Sequence, residues 1–217
     1  MKAAIFDRDG VLTSFDPTSA LDYINQVLPI SLDELLATWQ ARGKVHGFPS
    51  SEEEEKTFFD GMWSELALKF GLGDAEAVWL RAFDYTRHMI VYPDAVPTLR
   101  ALRAAGFKIG VLSNFSLATL DRSLTALGLD GLVDVACAAT VIGVSKPDAR
   151  AYLTICTMLD VAPADSLFFD DEPDCVKGGQ LVGMQSFLVD RAAKRSDFDG
   201  PRITSLSEII TLLARFC

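Results

Sequence analysis

Short apolar runs, too brief for helices, recur along this chain and several stop on polar residues. Ala3-Ala4-Ile5-Phe6 precedes Asp7, Phe107 to Leu112 precedes Ser113-Asn114, and Ser166-Leu167-Phe168-Phe169 precedes Asp170-Asp171. Gln185 to Val189 is a further run, and Val133 to Ala136 a shorter one. Strands buried on both faces have this form. Helical patterns lie between them, through Leu99 and Leu102 up to Gly106, over Leu117 to Leu127, Pro147 to Leu159 and Cys175 to Leu181, and from Ser205 to Arg215. Such alternation with short turns predicts an α/β unit with a parallel sheet covered on both faces and right-handed crossovers.

One stretch breaks the alternation. From Asp16 to His88 the chain offers helices and no convincing strand. Leu21, Ile24, Val27 and Leu28 recur at helical spacing, and Leu32, Leu35, Leu36 and Trp39 do so after a Ser31 cap. Ser50 and Ser51 precede Glu53 and Glu54 as overlapping capping boxes, and Phe58, Phe59, Met62, Trp63, Leu66 and Phe70 then form one apolar face up to Gly71. A fourth helix is expected from Asp74 to His88, with Val78, Phe83 and either Trp79 or Leu80 inward. Both ends of this all-helical unit abut the α/β pattern, so residues 15–90 read as an insertion into a domain made of residues 1–14 and 91–217.

A formal net charge of −10 argues against nucleic acid or an anionic membrane as the main partner. Cys137, Cys156, Cys175 and Cys217 have neither zinc-site nor disulfide-scaffold spacing. Only four apolar residues stand between Met1-Lys2 and Asp7, and no later run approaches the ~20 residues of a membrane span. A cytoplasmic protein is expected.

The strand ends carry complementary chemistry: Asp7 and Asp9, Ser113 and Asn114, Lys146, and Asp170 with Asp171. In open parallel sheets, ligands bind beyond the carboxyl ends of the strands. Phosphoryl transfer needs a nucleophile, a proton donor and acceptor, a cation for spread negative charge, and donors for the phosphoryl oxygens. Carboxylates from separate strand ends can share one Mg²⁺. A hydroxyl and backbone N–H groups ahead of a helix, as at Ser113, Asn114 and Phe115, make an anion site. Each residue also has a plainer reading. Ser113 can be a turn residue, Ser145-Lys146-Pro147-Asp148 a helix start, and Asp174 a helix cap or a third acid.

In order, D-x-D-G-V-L at Asp7, V-L-S-N with Ser113, S-K-P-D with Lys146 and F-F-D-D-E-P-D with Asp170 and Asp171 resemble the four motifs of the haloacid dehalogenase superfamily. The likeness spans nearly the whole chain and is to the capped phosphatase branch, with members such as phosphoglycolate phosphatase and β-phosphoglucomutase. It implies a Rossmann-like core with a helical cap that supplies selectivity. By position, Asp7 is the implied nucleophile that forms an aspartyl-phosphate, and Asp9 the acid and base. Asp7, the Asp9 backbone carbonyl and Asp171 are the implied Mg²⁺ ligands, with Asp170 close by. Ser113, Asn114 and Lys146 hold phosphate. Arg8 departs from the apolar residue often found between the two acids.

A small phosphorylated metabolite is the expected substrate, for a monomer or homodimer. A sugar-phosphate mutase shares every core residue. A 2-haloacid dehalogenase uses the same first Asp without a metal and lacks an acid two residues later, which counts against it. A non-catalytic binding member would be expected to lack a core carboxylate or the lysine, and none is lacking. Arg42, Lys44 and His46, in the one basic loop of the acidic insertion, are the candidate specificity residues.

Overall fold

The computed structural model describes residues 3–194 and 198–213. In chain order the elements are β1 (Ala3–Phe6), β2 (Thr13–Phe15), α1 (Pro17–Ile24), α2 (Leu32–His46), α3 (Glu52–Phe70), α4 (Asp74–Arg81), β3 (Met89–Val91), α5 (Ala95–Ala104), β4 (Lys108–Ser113), α6 (Leu120–Ala126), β5 (Val135–Ala138), α7 (Ala139–Ile142), α8 (Ala149–Leu159), β6 (Ser166–Asp170), α9 (Pro173–Leu181), β7 (Gln185–Val189), β8 (Arg202–Ile203) and α10 (Ser207–Leu213). The chain divides into two compact units, one of Met1–Ser14, Ile90–Phe115 and Leu120–Cys217, the other of Phe15–Met89 and Ser116–Thr119.

The first unit is a six-stranded sheet in the order β5-β4-β1-β6-β7-β8. Every paired neighbour runs parallel. The chain builds outward from β1 in both directions, so the order reverses beside it, and this is where such sheets open a crevice. Period-two alternation divides the apolar residues between the faces. Ala4 and Phe6 join Leu99, Val111, Phe169 and Ile209 in one core, while Ala3 and Ile5 join Leu112, Tyr152, Ile155 and Phe168 in the other. Gly110 lets α8 approach the sheet, since a Cβ there would come within 2.9 Å of Ile155 and Leu159. This is the Rossmann-like parallel core that the alternation predicts.

The second unit buries Ile24, Leu28, Met62, Trp63, Leu66 and Leu80 in its own core. Ser31 caps α2 in a reciprocal box with Glu34. At α3, Ser51 accepts from the Glu54 N–H, but the Glu54 carboxylate turns back to the amide and hydroxyl of Ser50, so the two expected boxes merge into one offset pair.

Several expectations need correction. The fourth helix ends at Arg81, followed by a 3-10 turn over Tyr85–His88, and Leu80 points inward while Val78 is exposed. β2 and β3 pair as a short two-stranded sheet at the two chain passages between the units, where three-residue strands leave almost no period to read. The helix expected from Leu117 starts at Leu120, because Ser116–Thr119 is bound into the helical unit. Thr119 donates its N–H and hydroxyl to the buried Glu55 carboxylate at 3.0 and 2.6 Å. The helix expected from Pro147 is capped by Asp148 rather than Ser145 and begins at Ala149. Arg215, the expected last residue of the C-terminal helix, and Cys217 lie outside the described residues.

Candidate active site

Parallel pairing puts the carboxyl ends of β4, β1 and β6 side by side, with Phe6 in register with both Val111 and Phe169. Asp7 extends the ladder by one bond, its N–H donating to Phe169 at 2.8 Å. The chain then folds into a tight loop in which the N–H groups of Leu12 and Thr13 both donate to the Arg8 carbonyl. Gly10 sits in that loop at φ +79°, and the Asp171 carboxylate occupies the space that a Cβ would need. Glycine is therefore required twice, by backbone angle and by an acid from the neighbouring strand.

Lys146 Nζ lies between two carboxylates, 2.7 Å from Asp7 Oδ1 and 2.6 Å from Asp170 Oδ2, all three nearly fully buried. Its backbone is clamped by Asn114, which accepts from the Lys146 N–H at 2.8 Å and donates to its carbonyl at 2.9 Å. The Asn114 side chain thus positions the lysine. Ser113 is buried and its hydroxyl oxygen accepts from the Phe115 N–H at 3.2 Å. Asp170 Oδ1 accepts from the Glu172 N–H.

Acid outweighs base here. Burial, opposed by Lys146 and reinforced by Asp170, pushes the Asp7 carboxyl up to about 7. Burial and the Asp170 charge push Asp171 up to about 6, its relief coming from its own N–H and from Lys146. Asp170 is raised by the same desolvation. Desolvation works against the Lys146 ammonium, but the two carboxylates beside it prevail and raise its pKa.

Asp9 stands apart from this cluster. Its carboxylate takes Arg8 Nε on Oδ1 at 3.1 Å, Arg8 Nη2 on Oδ2 at 2.6 Å, and the Thr13 hydroxyl on Oδ1 at 3.2 Å. Asp174 is 83% exposed and pairs with Lys177 along α9, so it is not drawn into the buried group.

Among the described residues no three His, Cys, Asp or Glu side chains are grouped to cage a metal. Mg²⁺ needs no such cage, as it is usually held by one or two carboxylates with water and substrate oxygens. Hard oxygen donors, two of them raised by burial and exceeding the positive charge of Lys146, suit that ion. Asp7 and Asp171 are the fitting side chains. Those of Asp170 and Asp9 are engaged by Lys146 and Arg8.

In the helical unit, Arg42 pairs with Glu65 on α3 and lies over the Phe58 ring. It also lines an open groove of about 440 Å³ with His46, Phe48, Glu54 and Phe58. The stretch expected to be a basic loop is instead the end of α2, with Lys44 and His46 in its last turn, and the sequence had no signal for the groove, which forms only when α2 and the start of α3 meet.

Residues 1–183 match the family model described as haloacid dehalogenase-like hydrolase. Phosphatase MT3486 of Mycobacterium tuberculosis is 38% identical over 97% of each chain. (S)-2-haloacid dehalogenase 1 of a Pseudomonas species is 29% identical over 99% of this chain and 97% of its own. The crystal structure of a HAD phosphatase from Thermococcus onnurineus superposes with a TM-score of 0.67 at 26% identity, covering 98% of both chains. The fold, the ordered strand-end residues and this similarity make the chain a member of the haloacid dehalogenase-like hydrolases. Among the described residues no helix is long and apolar enough to cross a membrane.

Proposed function

We propose that this hydrolase is a Mg²⁺-dependent phosphatase acting on a small phosphorylated metabolite, and that it works in the cytoplasm. The reading rests on one observation above all: buried acids exceed cations around Lys146 at the strand-order reversal, with a further carboxylate, Asp9, two residues beyond Asp7. That excess calls for a bound cation before an anionic substrate can enter.

Asp7 attacks phosphorus through a carboxylate oxygen. The bond from phosphorus to the ester oxygen breaks, its electron pair stays on the leaving oxygen, and Asp9 supplies the proton that makes it an alcohol. Asp7 then carries the phosphoryl group as a mixed anhydride. Water attacks that phosphorus, Asp9 takes its proton, and the cleaved bond returns the electron pair to Asp7 with release of phosphate. Lys146 balances charge on the phosphoryl oxygens, and the Ser113 hydroxyl with the Asn114 N–H orients them. When bound, Mg²⁺ held by Asp7, Asp171 and the Asp9 carbonyl would offset the repulsion between substrate and acids.

The similarity to (S)-2-haloacid dehalogenase 1 favours a second reading, in which Asp7 displaces halide from a 2-haloacid. That displacement needs neither a leaving-group acid nor a metal, so Asp9 and the pair Asp170-Asp171 weigh against it; the ester left on Asp7 would still have to be hydrolysed by water. The test is phosphate release from p-nitrophenyl phosphate and a panel of phosphorylated metabolites with Mg²⁺ or EDTA, beside chloride release from 2-chloropropionate. Mg²⁺-dependent phosphate release that Asp7→Asn abolishes is the expected result. Metal-independent chloride release without phosphatase activity would replace this reading with the second.

A further inference from the structure

Arg8 is almost completely buried, among the largest side chains in the molecule to be so, and a charge there is costly unless it serves a partner. Its neighbours in the loop, Val11 and Leu12, are fully buried apolar side chains. The guanidinium is fixed on two sides before it reaches Asp9. Nη1 donates to the buried Ser123 hydroxyl at 2.8 Å, and the plane lies 3.9 Å from the centre of the Phe115 ring. The remaining fork, Nε and Nη2, closes on the two oxygens of Asp9. A two-point contact fixes the plane of a carboxylate as well as its position, which a lysine cannot do.

We infer that Arg8 is a positioning residue that holds Asp9 for the second half of the reaction, in which Asp9 accepts the proton of the attacking water. This rests on the phosphatase reading above. Both Asp9 oxygens accept from Arg8, so the fork fixes where the carboxylate lies and which way its plane faces. In the first half Asp9 must give a proton, and an aryl leaving group needs little help there. An aryl phosphate therefore isolates the step that Arg8 serves.

The experiment is rapid-quench kinetics with p-nitrophenyl phosphate and Mg²⁺ on the full chain, comparing wild type, Arg8→Met, Arg8→Lys, Asp9→Asn and the double variant Arg8→Met with Asp9→Asn. Expected for Arg8→Met is a loss of about tenfold or more in kcat, with an initial burst of nitrophenol approaching one per protein as phosphorylated Asp7 accumulates. Arg8→Lys, a charge without a fork, should fall within a few-fold of Arg8→Met. Adding Arg8→Met to Asp9→Asn should change kcat by less than about twofold, because the two act as one unit.

Equal losses in both backgrounds, or slower turnover without a burst, would make Arg8 a residue of the fold only and overturn the inference. Should Arg8→Met not fold, Ser123→Ala removes just the far anchor of Arg8, and a smaller burst is expected. An unchanged kcat with no burst in that variant overturns it as well. Folded wild type that releases no phosphate from the aryl ester is a separate result, which removes the phosphatase reading and this inference together.

Discussion

Asp7 and Asp94 are aspartates of the same α/β unit, each beside a basic side chain, and their surroundings shift them in opposite directions. Asp94 is partly desolvated, yet it accepts from both Nη atoms of Arg191, the Ser205 hydroxyl and the Leu206 N–H, which together hold its pKa below the usual carboxylate range. Arg191 also stacks on Tyr92 and donates to the Val11 carbonyl, so the cluster ties three segments together. Asp7 shares its single ammonium with Asp170 and is pushed up. A satisfied carboxylate strengthens the fold, whereas an under-compensated one holds stability in reserve for a ligand.

Asp7→Asn should separate the two cases most sharply. Phosphate release should fall by at least about a thousandfold, while the metal-free protein becomes more stable by on the order of 1–3 kcal/mol at pH 7.5. The sign follows from linkage. The folded pKa lies above the unfolded value, so between about pH 4 and 7 the folded state holds more protons and its stability falls as pH rises. The gain should therefore shrink at pH 4.5, and denaturant unfolding in EDTA at both pH values would show it. A variant less stable than wild type at pH 7.5 would mean that Lys146 already balances the site.

Lys146→Met leaves Asp7 and Asp170 facing each other without a cation. A loss of about 3–5 kcal/mol is expected at pH 8, smaller at pH 5 where the raised acids take up protons. A pH-independent loss in the same unfolding assay would trace the effect to packing against Phe168 instead.

Asp94→Ala supplies the opposite slope with the smallest effect. It should cost about 2 kcal/mol near neutrality, through the donors that it strands. A lowered carboxylate contributes above its unfolded pKa and ceases to as pH falls through the folded one, so wild type and variant should converge in acid. Differential scanning calorimetry from pH 7 to pH 3 would detect a failure to converge.

Much of the fold was legible because a buried parallel strand needs an uninterrupted apolar run, and β1, β4, β6 and β7 each supply one. The candidate site was legible because such strands can deliver polar residues only at their ends. Short elements were not. β2, β3 and β8 have two or three residues each, and their pairing is fixed by what lies beside them. Ser116–Thr119 carries no sign in the sequence that it joins the helical unit, since its partner Glu55 is more than sixty residues away.

The sequence by itself determined which groups are present: acids at the ends of β1 and β6, a hydroxyl at the end of β4, a lysine ahead of α8, and a helical insertion. Tertiary structure alone decided how they pair. Lys146 serves Asp7 and Asp170, Asn114 clamps the lysine backbone, Asp171 lies over Gly10, and Arg8 turns back on Asp9. Local pattern reports burial and period, which act over a few residues. Charge compensation acts through space between residues distant in the chain, and it exists only once the sheet has brought the strand ends together.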